Sequence, residues 1–383
     1  MLILGLETSC DETSAAIVED GFSIRSNIIS SSLFRHKPYG GVVPEIASRH
    51  SLEQVEFVVE QALKQADVKL GDLDLVAVTH GPGLIGSLLV GVCYGKALSY
   101  RLGIPLIGVN HLEAHLSACF MVPIAPMCDD DALRGQGSLS RALAGGGRMP
   151  REFIGLLVSG GHTMITAHRG SRTEVLGETV DDAVGEAYDK TAKILGLGFP
   201  GGPIMDRLAR EGNSDAVFFT KPKQKNRLGR DANHRGIPLG HDAHRFSFSY
   251  SGIKTAVLYH VQKQRAQTGW NEEKEQRLQK DVAASFQRHA ISWLVEKTMD
   301  AVQFKNMKHV AVGGGVSANS YLRQRMTEET QKAGVKLWLS PLPLSGDNAA
   351  MIACRGFQIF KSRKQKFPLS LTANPSLKIV ASR

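Results

Sequence analysis

Leu2-Ile-Leu-Gly-Leu-Glu-Thr-Ser-Cys-Asp-Glu-Thr-Ser-Ala-Ala-Ile-Val18 is apolar over residues 2–6, polar from Glu7 to Thr13, and apolar again from Ala15. That pattern reads as strand, turn, strand. The same plan returns about a domain-length later as Phe153-Ile-Gly-Leu-Leu-Val158, Ser159-Gly-Gly-His162 and Met164-Ile-Thr-Ala167. Laying Gly5 on Gly155 puts Ser9 on Ser159. Two such units, one opening each half of the chain, predict a duplicated α/β architecture.

The surrounding sequence extends the plan. Ser51 with Gln54 reads as a capping box ahead of Leu52, Val55, Val59, Ala62, Leu63 and Ala66, an amphipathic helix. Residues 73–79 read as a strand, Gly81-Pro-Gly83 as a turn, 84–102 as a helix and 105–109 as a strand. This rhythm implies a mainly parallel sheet with right-handed crossovers. In the second half, helices are expected over 182–195 and 277–303, the latter with Leu278, Val282, Phe286, Trp293 and Leu294 on one face. Strands are expected at 310–312 and 335–339. Residues 121–150 hold three prolines, Asp129–Asp131 and Gly145–Gly147, and read as an insertion. The resulting division is a first lobe 1–120, the insertion 121–150, and a second lobe 151–345 with a basic insertion at 213–245. A final helix and basic tail, 346–383, pack back on the first lobe.

Composition narrows the class. A chain of 383 residues, 42% hydrophobic and 22% charged, suits two lobes rather than one core, and is neither disordered nor coiled coil. The most apolar stretch, 84–94, is too short for a bilayer that needs about 20 residues. No charged-then-apolar signal segment precedes the first strand, and the five scattered cysteines show no CxxC spacing. Those features argue for a reducing, cytoplasmic setting and against a disulfide framework, a zinc finger or a membrane protein. The net charge is +9, and seven Lys/Arg between Lys221 and Arg245 face only Asp231 and Asp242. Lys361, Arg363, Lys364 and Lys366 add a second basic cluster. Two basic segments on a nearly balanced protein point to phosphate-backbone contacts, with Lys221, Lys223, Lys225, Arg227 and Arg230 as the candidate residues. Aromatic residues are sparse there, so stacking on single-stranded bases is not indicated.

Four clusters can carry chemistry. In Asn110-His-Leu-Glu-Ala-His115, His111 and His115 are four apart and share a helix face, which suits one metal ion. The order is wrong for a zincin, because Glu113 lies two residues past the first His, roughly 200° round the helix at ~100° per residue. Asn110 as N-cap with Glu113 at the third helical position reads instead as a capping box. Two ligands are too few, so a carboxylate is needed from elsewhere. Asp347, in Leu344-Ser-Gly-Asp-Asn-Ala349, is a candidate for that role as well as for a helix cap. Val158-Ser-Gly-Gly-His-Thr163, Pro200-Gly-Gly-Pro203 and Val312-Gly-Gly-Gly-Val-Ser-Ala-Asn319 are glycine turns. Pro200-Gly-Gly-Pro203 is read as closing the helix that holds Asp189. No P-loop lysine and no true GxGxxG is present, yet three glycine turns near Asp189, Asp206 and Asn319 fit a nucleotide. The acidic turn Cys10-Asp-Glu12 holds Asp11, a candidate base only for the reaction that the resemblance given next implies.

With these residues assembled, the chain resembles the TsaD family, the universal tRNA threonylcarbamoyltransferases formerly called O-sialoglycoprotein endopeptidases. The match runs in order from Gly5 to about Ala353 and includes Leu4-Gly-Leu-Glu-Thr-Ser-Cys-Asp-Glu-Thr13, Gly40-Gly-Val-Val-Pro-Glu-Ile-Ala-Ser-Arg49 and Gly81-Pro-Gly-Leu-Ile-Gly-Ser-Leu88. It continues through His111-Leu-Glu-Ala-His115, Val158–Thr163, Asp181-Asp-Ala-Val-Gly-Glu-Ala-Tyr-Asp-Lys190, Phe248-Ser-Tyr-Ser-Gly-Ile-Lys-Thr-Ala256, Gly313–Asn319 and Gly346-Asp-Asn348. The resemblance implies the two-lobed actin/Hsp70/sugar-kinase type of fold with duplicated mixed-sheet subdomains. It implies one divalent metal, Fe2+ or Zn2+ with iron preferred, at His111, His115 and Asp347. It also implies transfer of threonylcarbamoyl from threonylcarbamoyl-AMP to N6 of the adenosine beside the tRNA anticodon. Contacts to that intermediate would come from Leu157, Val158, Ser159, Gly160, Gly161, Asp189, Gly202, Asp206 and Asn319. Bacterial relatives work with TsaB and TsaE, so such proteins are the expected partners. Tyr250 stands where the family usually has Phe, and segments 121–150 and 213–245 depart from a bacterial pattern. Two other readings are an endopeptidase, for which no Ser-His-Asp or Cys-His pairing is evident, and a non-catalytic scaffold.

Overall fold

In the computed structural model, which describes residues 1–123, 149–170, 172–219, 243–363 and 369–379, the opening stretch forms strands β1 (Leu2–Glu7) and β2 (Glu12–Glu19). The second copy forms β7 (Glu152–Val158) and β8 (Thr163–Arg169). Both pairs are antiparallel with one register, since Gly5 pairs with Ala16 and Gly155 with Thr166, each eleven residues on.

The duplication runs through both sheets. β3 (Ser23–Ser31) follows β2 antiparallel, and β9 (Arg172–Glu178) follows β8 in the same way. β4 (Leu75–Gly81) and β5 (Leu106–Asn110) add in parallel on the far side of β1. β10 (His309–Gly313) and β11 (Lys336–Leu339) add in parallel on the far side of β7. The orders are β5-β4-β1-β2-β3-β6 and β11-β10-β7-β8-β9, with β6 (Val122–Pro123) as the one extra edge strand. This is the two-lobed, duplicated mixed-sheet plan. Strands β3 and β9 escape the sequence reading because each holds few apolar residues, Ile24, Ile28 and Ile29 in one and Val175 and Leu176 in the other, without alternation, and several side chains face solvent.

The chain divides into one unit of Met1–Pro150 with Ser340–Val380 and a second that contains Arg151–Leu339. The return to the first unit falls at Ser340, six residues before the boundary drawn from sequence. In the first unit, the helices Pro44–Ala66 and Ile85–Leu102 cover one face of the sheet. The final helix, Ala349–Arg363, covers the other. It lies so close that a Cβ on Gly5 would sit 2.2 Å from the Ala349 carbonyl oxygen, so glycine is required in β1. The second unit buries Leu278, Val282, Phe286, Trp293 and Leu294 of the 34-residue helix Glu272–Lys305, as expected from their spacing.

Three local expectations are corrected. The first long helix starts at Pro44, not Ser51: proline at its first position needs no partner for a missing N–H, and extended Val43 precedes it. Ser51 is an interior residue whose hydroxyl donates to the Ala47 carbonyl, and Leu52 faces solvent. Gly201 opens the helix Gly201–Ala209 rather than closing the preceding one, Val184–Ile194. The tRNA candidates Lys221, Lys223, Lys225, Arg227 and Arg230 lie outside the described residues, as do most of 121–150 and part of the C-terminal basic cluster. Among the described residues, no helix is long and apolar enough to cross a membrane.

Candidate metal and substrate sites

β1, β4 and β5 run parallel, so Glu7, Gly81 and Asn110 end at one edge of the first sheet. Asn110 closes β5 and caps the helix His111–Ser117, its Oδ1 accepting from the amides of Leu112 at 2.9 Å and Glu113 at 3.4 Å. The other half of the expected capping box is absent. Glu113 Oε2 instead receives the Arg355 guanidinium at 2.7 and 3.1 Å, a longer-range and charge-assisted partner. A zincin general base would need that carboxylate free, which counts against the endopeptidase reading.

His111 and His115 are both buried, with their Nε2 atoms 3.1 Å apart. Asp347 brings Oδ1 to 3.5 Å from His111 Nε2 and 3.2 Å from His115 Nε2. The cap of the final helix is Asn348, whose Oδ1 accepts from the Met351 amide at 3.1 Å. Three donor atoms within 4.8 Å of one another fit a single cation. Ligand atoms bonded to an ion at about 2.0–2.1 Å stand roughly 2.8–3.4 Å apart, from adjacent octahedral to tetrahedral positions.

Glu7 supports this set from beneath. It is fully buried, and its Oε2 lies 3.0 Å from His111 Nδ1. Thr79 donates to that oxygen at 2.6 Å, and the Ser9 amide donates to Oε1 at 2.5 Å. A carboxylate can only accept, so Nδ1 carries a proton, and Nε2, once it gives up its own, turns a lone pair towards His115 and Asp347. Burial alone would lower the His111 pKa, but the charges of Glu7 and Asp347 outweigh it and raise the value to about 9. The neighbouring acidic turn adds negative charge. Burial, then Asp347 and Asp11, push the Glu12 carboxyl well above its ordinary range, and burial with Asp11 and Asp347 does the same to the Cys10 thiol. The pocket is electrostatically built for a cation. Asp11 sits in this turn, its carbonyl accepting from the amide and the hydroxyl of Ser32 at 2.9 Å each.

The second unit gathers the remaining candidates at the carboxyl ends of β7 and β10. Leu157 and Val158 are fully buried in β7, which is paired on both sides. Ser159 closes the turn through its amide to the His162 carbonyl at 2.8 Å and its hydroxyl from the His162 amide at 3.1 Å. Gly160 and Gly161 are exposed, and no acceptor meets their amides among the described residues. A Cβ on either would meet nothing within 4 Å, and the same holds for Gly202. Protein packing therefore does not demand glycine at these three positions, and the backbone there is open to close approach.

Asp189 Oδ1 accepts from the Gly201 amide at 2.7 Å, so it serves the start of the Gly201–Ala209 helix. Burial raises its pKa despite that bond. Asn319 caps the helix Ser320–Lys332 through Oδ1, while its Nδ2 donates to Gln287 Oε1 at 2.7 Å and Asp206 Oδ1 at 3.1 Å. Ser320 adds its hydroxyl to Asp206 at 2.8 Å, and the Tyr188 hydroxyl donates to Gln287 at 3.2 Å. Asp206 and Asn319 are thus held as one rigid network, and exposed amides beside fixed carboxylates can receive phosphate and hydroxyl groups. Sequence reasoning missed Glu7, Thr79, Gln287 and Tyr188. The available signal for Glu7 was a carboxylate ending an otherwise apolar strand.

A family model described as tRNA N6-adenosine threonylcarbamoyltransferase, TsaD, matches residues 23–130 and 136–354. A protein of that name from Thermosipho africanus (strain TCF52B) is 41% identical over 380 residues, 99% of this chain and 100% of its own length. One from Clostridium kluyveri (strain ATCC 8527) is 42% identical over 378 residues, 98% and 97% of the two chains. Among solved structures, full-length HypF in a phosphate- and nucleotide-bound form aligns with a TM-score of 0.53 at 13% identity, covering 95% of this chain and 47% of that one. That likeness bears on the fold alone.

Proposed function

The chain belongs to the TsaD family, the tRNA N6-adenosine threonylcarbamoyltransferases, and within that acyl transfer we propose a division of labour between its two clusters. It is an acyltransferase that acts on tRNA to form threonylcarbamoyladenosine. We take threonylcarbamoyl-AMP as the donor. The N6 amine attacks the carbamoyl carbon, the bond to the phosphate oxygen breaks, AMP leaves, and N6 gives up a proton.

His111, His115 and Asp347 would hold a divalent cation, Fe2+ preferred on the family resemblance and Zn2+ the alternative, since two histidines and one carboxylate suit either. A cation bound there supplies Lewis-acid polarisation of a carbonyl oxygen. The Gly160 and Gly161 amides face the growing charge of the departing phosphate. Asp189 and Asp206 take sugar hydroxyls, and Asn319, Gly202 and the backbone of Leu157, Val158 and Ser159 fix the nucleotide's orientation. Asp11 takes the proton from N6, whose lone pair is delocalised into the ring and needs that help. Lys221, Lys223, Lys225, Arg227 and Arg230 contact the tRNA backbone. TsaB-like and TsaE-like proteins assist, and the setting is the cytoplasm.

The observation that carries the site assignment is the convergence of three donor atoms within 4.8 Å above a buried Glu7. The test is reconstitution with threonylcarbamoyl-AMP, tRNA and candidate partners, read by nucleoside mass spectrometry. Absence of threonylcarbamoyladenosine with every partner set defeats the reading. Asp347→Ala should abolish the product in cells, and unchanged modification would mark the chain as a scaffold. Neutralising the five loop cations should reduce the salt slope of tRNA binding by about 0.9 for each phosphate no longer neutralised.

A further inference from the structure

Residues 371–379 lie across the sheet edge at which the histidine helix begins. The Asn374 amide donates to the His80 carbonyl at 2.7 Å, and the Gly83 amide donates to the Pro375 carbonyl at 3.3 Å. Asn110 Nδ2 donates to the Lys378 carbonyl at 3.2 Å. Ile379, next along, is buried. The strands beneath are shaped for this segment. A Cβ on Gly81, whose φ is +154°, would stand 2.0 Å from the Asn374 carbonyl oxygen, and one on Gly108 would stand 2.6 Å from Leu371 Cδ1. A side chain at position 81 would meet the backbone of the segment, whereas one at position 108 would meet only the methyl ends of Leu371 and the ring of His80.

Asn110 is the point of transmission. Its Oδ1 holds the first two free amides of the histidine helix while its Nδ2 is held by Lys378, so the amide plane is fixed from both sides. His111 is the next residue. A helix of seven residues has little stiffness of its own, and its position must be imposed by what surrounds it. Metal ligands tolerate only small displacements, and removing a supporting hydrogen bond commonly weakens binding by about ten- to a hundredfold.

We propose that residues 371–379 form a positioning strap for the metal site, with the Lys378 carbonyl orienting Asn110 and Asn110 orienting the turn that carries His111. The proposal rests on His111, His115 and Asp347 holding a divalent cation. Co2+ is the probe, added to the metal-stripped full-length protein and followed by its visible absorption and by competition with a chelator. Asn110→Ser keeps a capping oxygen but removes the Nδ2 amide that reaches Lys378. Ile379→Asp unseats the strap and leaves every residue of the helix unchanged. Each variant should lose Co2+ affinity by roughly tenfold and show an altered visible spectrum. The double variant should lose no more than either single one, because both break one chain of interactions. A merely structural defect would lower the thermal midpoint without changing the spectrum of the folded, Co2+-bound protein. Either variant matching the parent in affinity and spectrum overturns the strap. A parent that takes up no Co2+ removes the metal reading, and the strap with it.

Discussion

Replacing Glu7 with glutamine changes almost no volume and removes one charge, so its effect follows from hydrogen-bond bookkeeping alone. The carboxylate accepts from the Ser9 amide on one oxygen, and from Thr79 and His111 on the other. A glutamine amide offers one accepting oxygen and one donating nitrogen. With its oxygen towards Thr79 and His111, its nitrogen faces the Ser9 N–H. Turned over, it faces Nδ1 of His111, which must then move its proton to Nε2 and lose the lone pair directed at Asp347. Either placement leaves a buried donor unmatched, at a cost of about 1–3 kcal/mol. Cation affinity should fall about ten- to a hundredfold, equivalent to about 1.4–2.8 kcal/mol. Competition against a chromogenic chelator measures the fall in affinity, and thermal unfolding of the chelator-treated protein measures the cost in stability. A Glu7→Gln protein that binds the cation as tightly as the parent and melts at the same temperature refutes the reasoning.

Three further outcomes are expected. His111, held at about 9 against 6.5 for a free imidazole, contributes stability to the metal-stripped protein that is fully present below pH 6.5 and lost as pH rises through 9. Glu12 shifts in the same sense, so melting midpoints between pH 6 and 9.5 should fall, by about 3 kcal/mol of stability from His111; a rising midpoint would contradict this. Gly160→Val should leave stability within about 0.5 kcal/mol of the parent, since its side chain enters open space, but should raise the donor's KM. An unchanged KM would remove that turn from the site. Tyr250→Phe deletes a buried hydroxyl with no hydrogen-bond partner among the described residues and should raise stability by about 1 kcal/mol in denaturant melts, whereas a loss would mean the hydroxyl is engaged.

The parts of this protein legible in its sequence are those in which neighbours in the chain are neighbours in space. The strand–turn–strand pairs, the histidines one helical turn apart and the glycine turns all have that character, and the family motifs fix their order. From its residues alone Asp347 is one candidate carboxylate, as well suited to capping a helix, and the resemblance is what singles it out, because 232 residues separate it from His115 and no local pattern joins them. Glu7 is hidden for the same reason, since its partner His111 is 104 residues away. Gln287 reads as one more polar residue on a long helix until Asn319 is seen against it. Errors of boundary have local causes. Pro44 starts its helix without a polar cap, so a serine followed three residues later by glutamine imitates a start seven residues too late.

The order in which the chain crosses its own architecture also bears on how the protein is made. The two histidines belong to the first third of the chain, while Asp347 and the helix that covers β1 come only after the whole second unit has been synthesised. Domains generally fold as the chain emerges, starting from the N-terminus. Here the first unit must wait, with one face of its sheet uncovered and its ligand set open. A polypeptide interrupted before Asp347 carries both histidines and cannot complete the cation's coordination. If His111, His115 and Asp347 are the ligands, metal uptake requires that translation has passed Asp347, and a chelator-sensitive melting transition would separate such molecules from ones terminated before it.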